Sequence, residues 1–290
     1  MQRITFFIGI CLLVFTGCTK TGDNTSGDLP ASSAAKIYNV KYGTESRQAM
    51  DIYLPANRDA GTPFVMLIHG GGWTAGNKSD FNGVQQALSD SGIASVSINY
   101  RYVSTTVHYQ QLMEDVHKAL QYCVDKAGAW SIRNTKIIMV GASAGAHMSL
   151  LYGYGFDTDN RVSGIISLAG PTDFTILEFH AYAALIGLGT NIYNMVGVTY
   201  TPGQPLDEKF SKASPVYYDK NVPTLIVHGD ADLVVPYSQA IILRDKLQSK
   251  GYTYKMETIA GGGHDLGMGN PVNALRVYTE LIRWTRTYSK

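Results

Sequence analysis

The sequence predicts an α/β domain with a mostly parallel central sheet and helices on both faces. Three observations carry this. From residue 64 onward, strand-like and helix-like segments alternate, as they do when parallel strands are joined by helical crossovers. Phe64-Val65-Met66-Leu67-Ile68 is apolar without a break, the pattern of a strand covered on both faces. Finally, the apolar run Ile137-Ile138-Met139-Val140 stops at Gly141-Ala142-Ser143-Ala144-Gly145, and a helical stretch through Met148, Leu150 and Leu151 follows. That is a buried strand, a tight turn with a hydroxyl at the bend, and a helix N-terminus.

Taken in order, the chain opens on a segment expected to lie outside the fold. Arg3 supplies positive charge, and Phe6 to Phe15 is an apolar run too short to span a bilayer. Thr16-Gly17-Cys18 follows and is similar to a bacterial lipoprotein processing site. Residues 1–18 are therefore expected to be a lipoprotein signal, with Cys18 lipidated. Residues 19–35, rich in Thr, Ser, Gly, Asp and Ala, read as a flexible tether. The expected product is exported and held on a bacterial membrane, periplasmic or at the cell surface, by acyl chains alone.

The folded body is expected over 36–290. Alternating runs at 37–42 and 50–54 flank Gly43 and predict an antiparallel hairpin at a sheet edge. Further strands are predicted at 64–68, 93–102, 136–140, 162–168, 224–228 and 252–259. Helices are predicted at 80–90, 109–126, 238–250 and 271–288. Cys123 shares a helical face with Leu112, Val116, Ala119 and Leu120 and reads as an apolar filler. Residues 171–222 break the rhythm, with helical stretches near 174–188, and read as a small cap over the strand ends.

Composition excludes several function classes. A formal charge of +1 gives no electrostatic case for nucleic acid. Three cysteines do not make a disulfide scaffold. No clustered His/Cys/Asp ligand set implies a metal, and no motif implies a cofactor. Gly72 to Ser79 misses the phosphate-loop spacing, because Asn77 separates Gly76 from Lys78. Oligomeric state is not legible.

Chemistry gathers at the carboxyl ends of the strands, where parallel sheets place it. Ser143 sits in Gly-x-Ser-x-Gly, the strained strand-to-helix turn that exposes a nucleophile. His69-Gly70-Gly71-Gly72-Trp73 follows the strand at 64–68, and its successive glycines can turn backbone N–H groups toward an oxyanion. Gly229-Asp230-Ala231-Asp232 follows the strand at 224–228. Asp230 is expected to shape the turn, and Asp232 to reach an imidazole. Gly261-Gly262-Gly263-His264 follows the last strand. Of the other histidines, His69 is expected to brace the glycine loop and His147 to pack beneath the turn. Trp73 and His180 are the candidate substrate-pocket residues.

These motifs together resemble the α/β-hydrolase superfamily, specifically its esterase/lipase group with a His-Gly-Gly-Gly oxyanion motif. The resemblance covers about residues 45–288. It implies Ser143 as nucleophile, His264 as general base and acid, and Asp232 as its orienter. It also implies an oxyanion hole from Gly71, Gly72 and the N–H of Ala144. Ala142 stands where hormone-sensitive-lipase-like enzymes carry an acid, so the turn is more similar to the branch of acetylesterases, feruloyl-type esterases and arylformamidases. The implied activity is ester hydrolysis through an acyl-enzyme, without metal or cofactor. Residues 171–222, too short and too polar for a large lipid-binding lid, favour short, acetyl-type acyl groups, and the expected export favours small-molecule or oligosaccharide esters. The rival readings are arylformamide hydrolysis, peptide hydrolysis and a surface-anchored binding protein without turnover.

Overall fold

The computed structural model describes residues 29–290. The expected lipoprotein signal, Cys18 included, lies outside them. Eight strands form one sheet in the order β1-β2-β4-β3-β5-β6-β7-β8. β1 (Ala35–Lys41) and β2 (Ala49–Leu54) pair antiparallel, as does β2 with β4 (Ala94–Ile98). From β4 across β3 (Phe64–Ile68), β5 (Ile137–Ala142), β6 (Val162–Leu168), β7 (Thr224–Gly229) and β8 (Tyr254–Ile259), every pairing is parallel.

The central strands separate two cores by strict alternation of side chains. Phe64, Met66 and Ile68 of β3, with Ile137 and Met139 of β5, face one way. There they meet α2 (Tyr109–Trp130), α3 (Ala144–Leu151) and α7 (Ser238–Ser249). Val65, Leu67, Ile138 and Val140 face the other way, toward α1 (Asn82–Asp90) and α8 (Pro271–Tyr288). Cys123 is buried in the first core, as its helical face predicts.

Residues 171–222 carry α4 (Leu177–Leu185), α5 (Gly189–Val196), the short α6 (Glu208–Lys212) and a single turn of tighter helix at Pro215–Tyr217. Phe174, Phe179, Ile192 and Phe210 join the first core, so the excursion is bound to the body through apolar contact. α5 also reaches the glycine loop, where Asn191 Nδ2 donates to Thr74 Oγ1 at 3.0 Å.

The tether predicted over 19–35 does not extend that far. Arg58, buried between strands and helix, donates to the carbonyls of Leu29 (2.9 Å), Ser33 (2.6 Å) and Trp130 (2.7 Å). Composition misses this because the partner that orders 29–34 lies in another segment. The strand predicted at 93–102 ends earlier, at Ile98; just beyond it Asn99 Oδ1 accepts from the N–H of Lys78 at 2.7 Å.

Candidate active site

Ser143 sits between β5 and α3 at φ 53° and ψ −120°, a strained conformation for a residue with a Cβ. Close backbone approach imposes it. A Cβ on Gly141 would lie 2.1 Å from the carbonyl oxygen of Gly145, and one on Gly145 would lie 1.9 Å from that of Ile68. Only glycine at both positions allows the turn to fold over β3. The N–H of Ser143 donates to Leu168 O at 2.8 Å, which ties the turn to β6.

The loop after β3 is braced from three sides. His69 is fully buried; its Nδ1–H donates to Gly70 O at 2.7 Å, and its ring stacks on Tyr100 at 4.4 Å. Arg47 lies over the Tyr102 ring and donates to Tyr100 O and Gly76 O, with His69 Nε2 at 3.4 Å. Burial, together with the Arg47 charge and despite the Gly70 hydrogen bond, pushes the His69 imidazole down to about 4, so it stays neutral. Gly71 at φ 104° and Gly72 at φ 56° turn the loop, and a Cβ on Gly71 would meet Ala75 O at 2.3 Å. Among the described residues, the N–H groups of Gly71, Gly72 and Ala144 have no acceptor within the chain. All three residues line the same cavity as Ser143.

His147, one turn into α3, joins this loop to the excursion. The carbonyl of Ala213 can only accept, so Nε2 carries the proton and donates to it at 2.8 Å. Nδ1 is then free to accept from the Trp73 indole N–H at 3.1 Å. Burial pushes this imidazole down to about 4 as well, and Trp73 holds φ 61° beside it.

The two candidate acids divide as expected. Asp230 Oδ1 accepts from the N–H of Gly261 at 2.7 Å and closes the turn between two loops. Asp232 Oδ2 accepts from His264 Nδ1 at 2.8 Å. Its other oxygen takes the N–H groups of Val234 (2.8 Å) and Val235 (3.0 Å), and His228 Nε2 lies 3.3 Å from Oδ2. Burial alone would raise this carboxyl. The hydrogen bonds from His228, His264 and Val234 outweigh burial and hold it well below the usual carboxylate range. An ionised Asp232 fixes the His264 proton on Nδ1 and leaves Nε2 as the basic nitrogen.

Ser143, His264, Gly71, Gly72, Trp73 and Ala144 line one cavity of about 570 Å³, while Asp232 stands behind the imidazole, 6% exposed. His180 is placed elsewhere. It is absent from the cavity wall, buried between Tyr193, Tyr200 and Phe210, and its Nε2–H donates to Phe174 O at 2.6 Å. The pocket role expected for it is therefore corrected: it shapes the excursion, because α4 turns it inward. The cavity also takes in Phe81, Val84, Val277, Tyr278 and Leu281, which sequence reasoning did not assign to a site. Their helical periodicity shows only that they face inward.

A serine hydroxyl at a strained turn, two glycine N–H groups and an Asp-bound imidazole thus converge at the carboxyl edge of a parallel sheet. The BD-FAE family model matches residues 50–247. The chain belongs to the BD-FAE family. Among curated relatives, an isoprenylcysteine alpha-carbonyl methylesterase of Arabidopsis thaliana is 25% identical, over 81% of this chain and 58% of its own length. The esterase LipC of Mycobacterium tuberculosis is 26% identical, over 85% of this chain and 65% of its own. The chain thus spans less than two thirds of the length of these curated relatives. Among solved structures, a truncated carbohydrate esterase from gut microbiota superposes with a TM-score of 0.72 at 22% identity, covering 91% of this chain and 99% of its own. Esterase B from Lactobacillus rhamnosis gives 0.70 at 18% identity, covering 91% and 88%. This BD-FAE member has the α/β-hydrolase fold.

Proposed function

We propose that the protein is a serine carboxylic-ester hydrolase working through an acyl-enzyme on short-chain, acetyl-type esters. The observation that carries this is the 2.8 Å bond from His264 Nδ1 to Asp232, with Ser143 and unpartnered backbone N–H groups lining the same cavity. In the first step Nε2 of His264 takes the Ser143 proton as Oγ bonds to the ester carbonyl carbon. The N–H groups of Gly71, Gly72 and Ala144 stabilise the oxyanion, a role in which one lost donor typically costs about 10²–10³ in rate. His264 then gives its proton to the ester oxygen as that C–O bond breaks, and the alcohol leaves. Water, deprotonated by His264, attacks the acyl carbon. The acid departs, and the proton returns to Ser143 Oγ.

Carbohydrate esters are the second reading, favoured by the structural neighbour described as a carbohydrate esterase, and dominant turnover of acetylated xylan oligomers would select it. Labelling of Ser143 by a fluorophosphonate, lost in Ser143→Ala, tests the mechanism; an unlabelled, correctly folded wild type would overturn it. A panel of nitrophenyl acetate, butyrate and octanoate, acetylated xylan oligomers, a feruloyl ester and N-formylkynurenine tests the substrate class. Dominant acetate turnover is expected, and dominant formamide cleavage would move the protein to the arylformamidase reading.

The same proposal places the enzyme on a bacterial membrane through lipidated Cys18; no helix among the described residues is long and apolar enough to cross one. Cys18→Ser should lose incorporation of labelled fatty acid, and unchanged incorporation would refute the anchor.

A further inference from the structure

The cavity wall is drawn from both cores of the protein. Trp73 and Ala144, with Phe179 and Ile192 of the excursion, belong to the core on one face of the sheet. Phe81, Leu266, Val277 and Leu281 belong to the core on the other face, and Val84 and Met268 pack against it. Ser143 stands at the sheet edge between them, with Ala142 packed on the second core and Ala144 buried in the first. The cavity therefore straddles the sheet edge and runs into the seam between α1 and α8. Across that seam a Cβ on Gly83 would stand 3.7 Å from the Tyr278 hydroxyl. The mechanism above uses none of the seam residues.

We propose that the α1–α8 seam is a binding subsite for the alcohol portion of the ester, and that it selects an apolar alkyl or aryl alcohol. The inference rests on the serine-hydrolase reading. Its direction comes from His264. This residue must give its proton to the leaving oxygen as the C–O bond breaks, so the group on that oxygen departs beside the imidazole. The loop that carries His264 continues as the seam wall through Asp265, Leu266 and Met268. An alcohol attached to that oxygen is led along this loop into the seam. The acyl group is left on the side of Trp73 and Phe179. Asp80 and Asp265 also line the cavity, and both are exposed. Two carboxylates there disfavour an anionic alcohol.

The test uses the full chain and two ester series: acetates of alcohols from ethyl to hexyl, and ethyl esters of acids from acetate to hexanoate. Each fully buried methylene is worth about fourfold. With partial burial, kcat/KM should rise about tenfold or more from ethyl to hexyl acetate and much less along the acyl series. Val84→Phe, which fills the seam, should lower the hexyl-to-ethyl acetate ratio. Tyr278→Ala, which widens it, should raise the ratio and serves if Val84→Phe does not fold. A flat alcohol series, or a rise confined to the acyl series, overturns the seam assignment while leaving the hydrolase reading intact. No turnover of any ester, with Ser143 unlabelled by fluorophosphonate, overturns the hydrolase reading and the seam with it.

Discussion

Asp232 and His264 are joined by a 2.8 Å bond from Nδ1 to Oδ2, although 32 residues of sequence separate them. Two residues before Asp232, Asp230 is committed to the backbone of Gly261. The two carboxylates therefore have different work, one on an imidazole and one on a turn. Asp232→Asn should lower kcat by about 10³–10⁴, because the amide no longer fixes the proton on Nδ1. Asp230→Asn should cost under about tenfold and act mainly on stability. Steady-state kinetics of both variants checks this, and the reverse ranking would reassign the acid.

Glycine at 145 is a steric requirement. The 1.9 Å approach of a Cβ to Ile68 O cannot be relieved by side-chain motion, because both partners are backbone. Gly145→Ala should destabilise the protein by about 3 kcal/mol or more, or prevent folding. Urea denaturation measures this, and a near-neutral result would mean that β3 and α3 can separate locally.

His69 and His147 predict the acid side of the stability curve. Both are pushed from an ordinary value of 6.5 down to about 4, chiefly by burial. Between these values the unfolded chain binds protons that the folded chain does not, so stability rises with pH across the window. It is fully present above about 6.5 and falls by roughly 3 kcal/mol per imidazole as pH drops to 4. His147→Gln keeps a donor for Ala213 and an acceptor for Trp73 but does not titrate. Its unfolding free energy should fall with acid less steeply than that of the wild type, which keeps His147 in addition to the depressed His69 and His180. Equal slopes would show that His147 is already charged or solvated in the folded state.

The fold was legible in the sequence because its signals are local. The unbroken apolar run at 64–68 needs burial on both faces, and the structure buries all five residues. The glycines around Ser143 report a crowded turn, and the crowding is there. The pairing of His264 with Asp232 was legible only as order along the chain; its geometry depends on two loops meeting. What was not legible shares one property, namely partners far apart in sequence. Arg58 orders Leu29 and Ser33 from another segment. His180 carries the same imidazole as a pocket histidine, and only the packing of Tyr193, Tyr200 and Phe210 around it removes it from the cavity. The seam residues carry ordinary amphipathic periodicity, which reads identically for a filled core and for a core with a gap.

The Trp73–His147 bond predicts a separable effect on catalysis. The indole N–H fixes the residue directly after Gly72, so its loss frees the loop that presents the Gly71 and Gly72 N–H groups. Trp73→Phe keeps most of the apolar contact with Phe174 but leaves His147 Nδ1 buried without a donor, at a cost of about 1–3 kcal/mol. If the bond positions the loop, kcat should fall about tenfold or more with KM little changed, since a mobile donor is missed chiefly in the transition state. If the bond only supports the core, the urea midpoint should fall while kcat at a stabilising temperature stays at the wild-type value. Measuring both quantities on one preparation distinguishes the two roles, and an unchanged kcat would remove His147 from the machinery that holds the oxyanion loop.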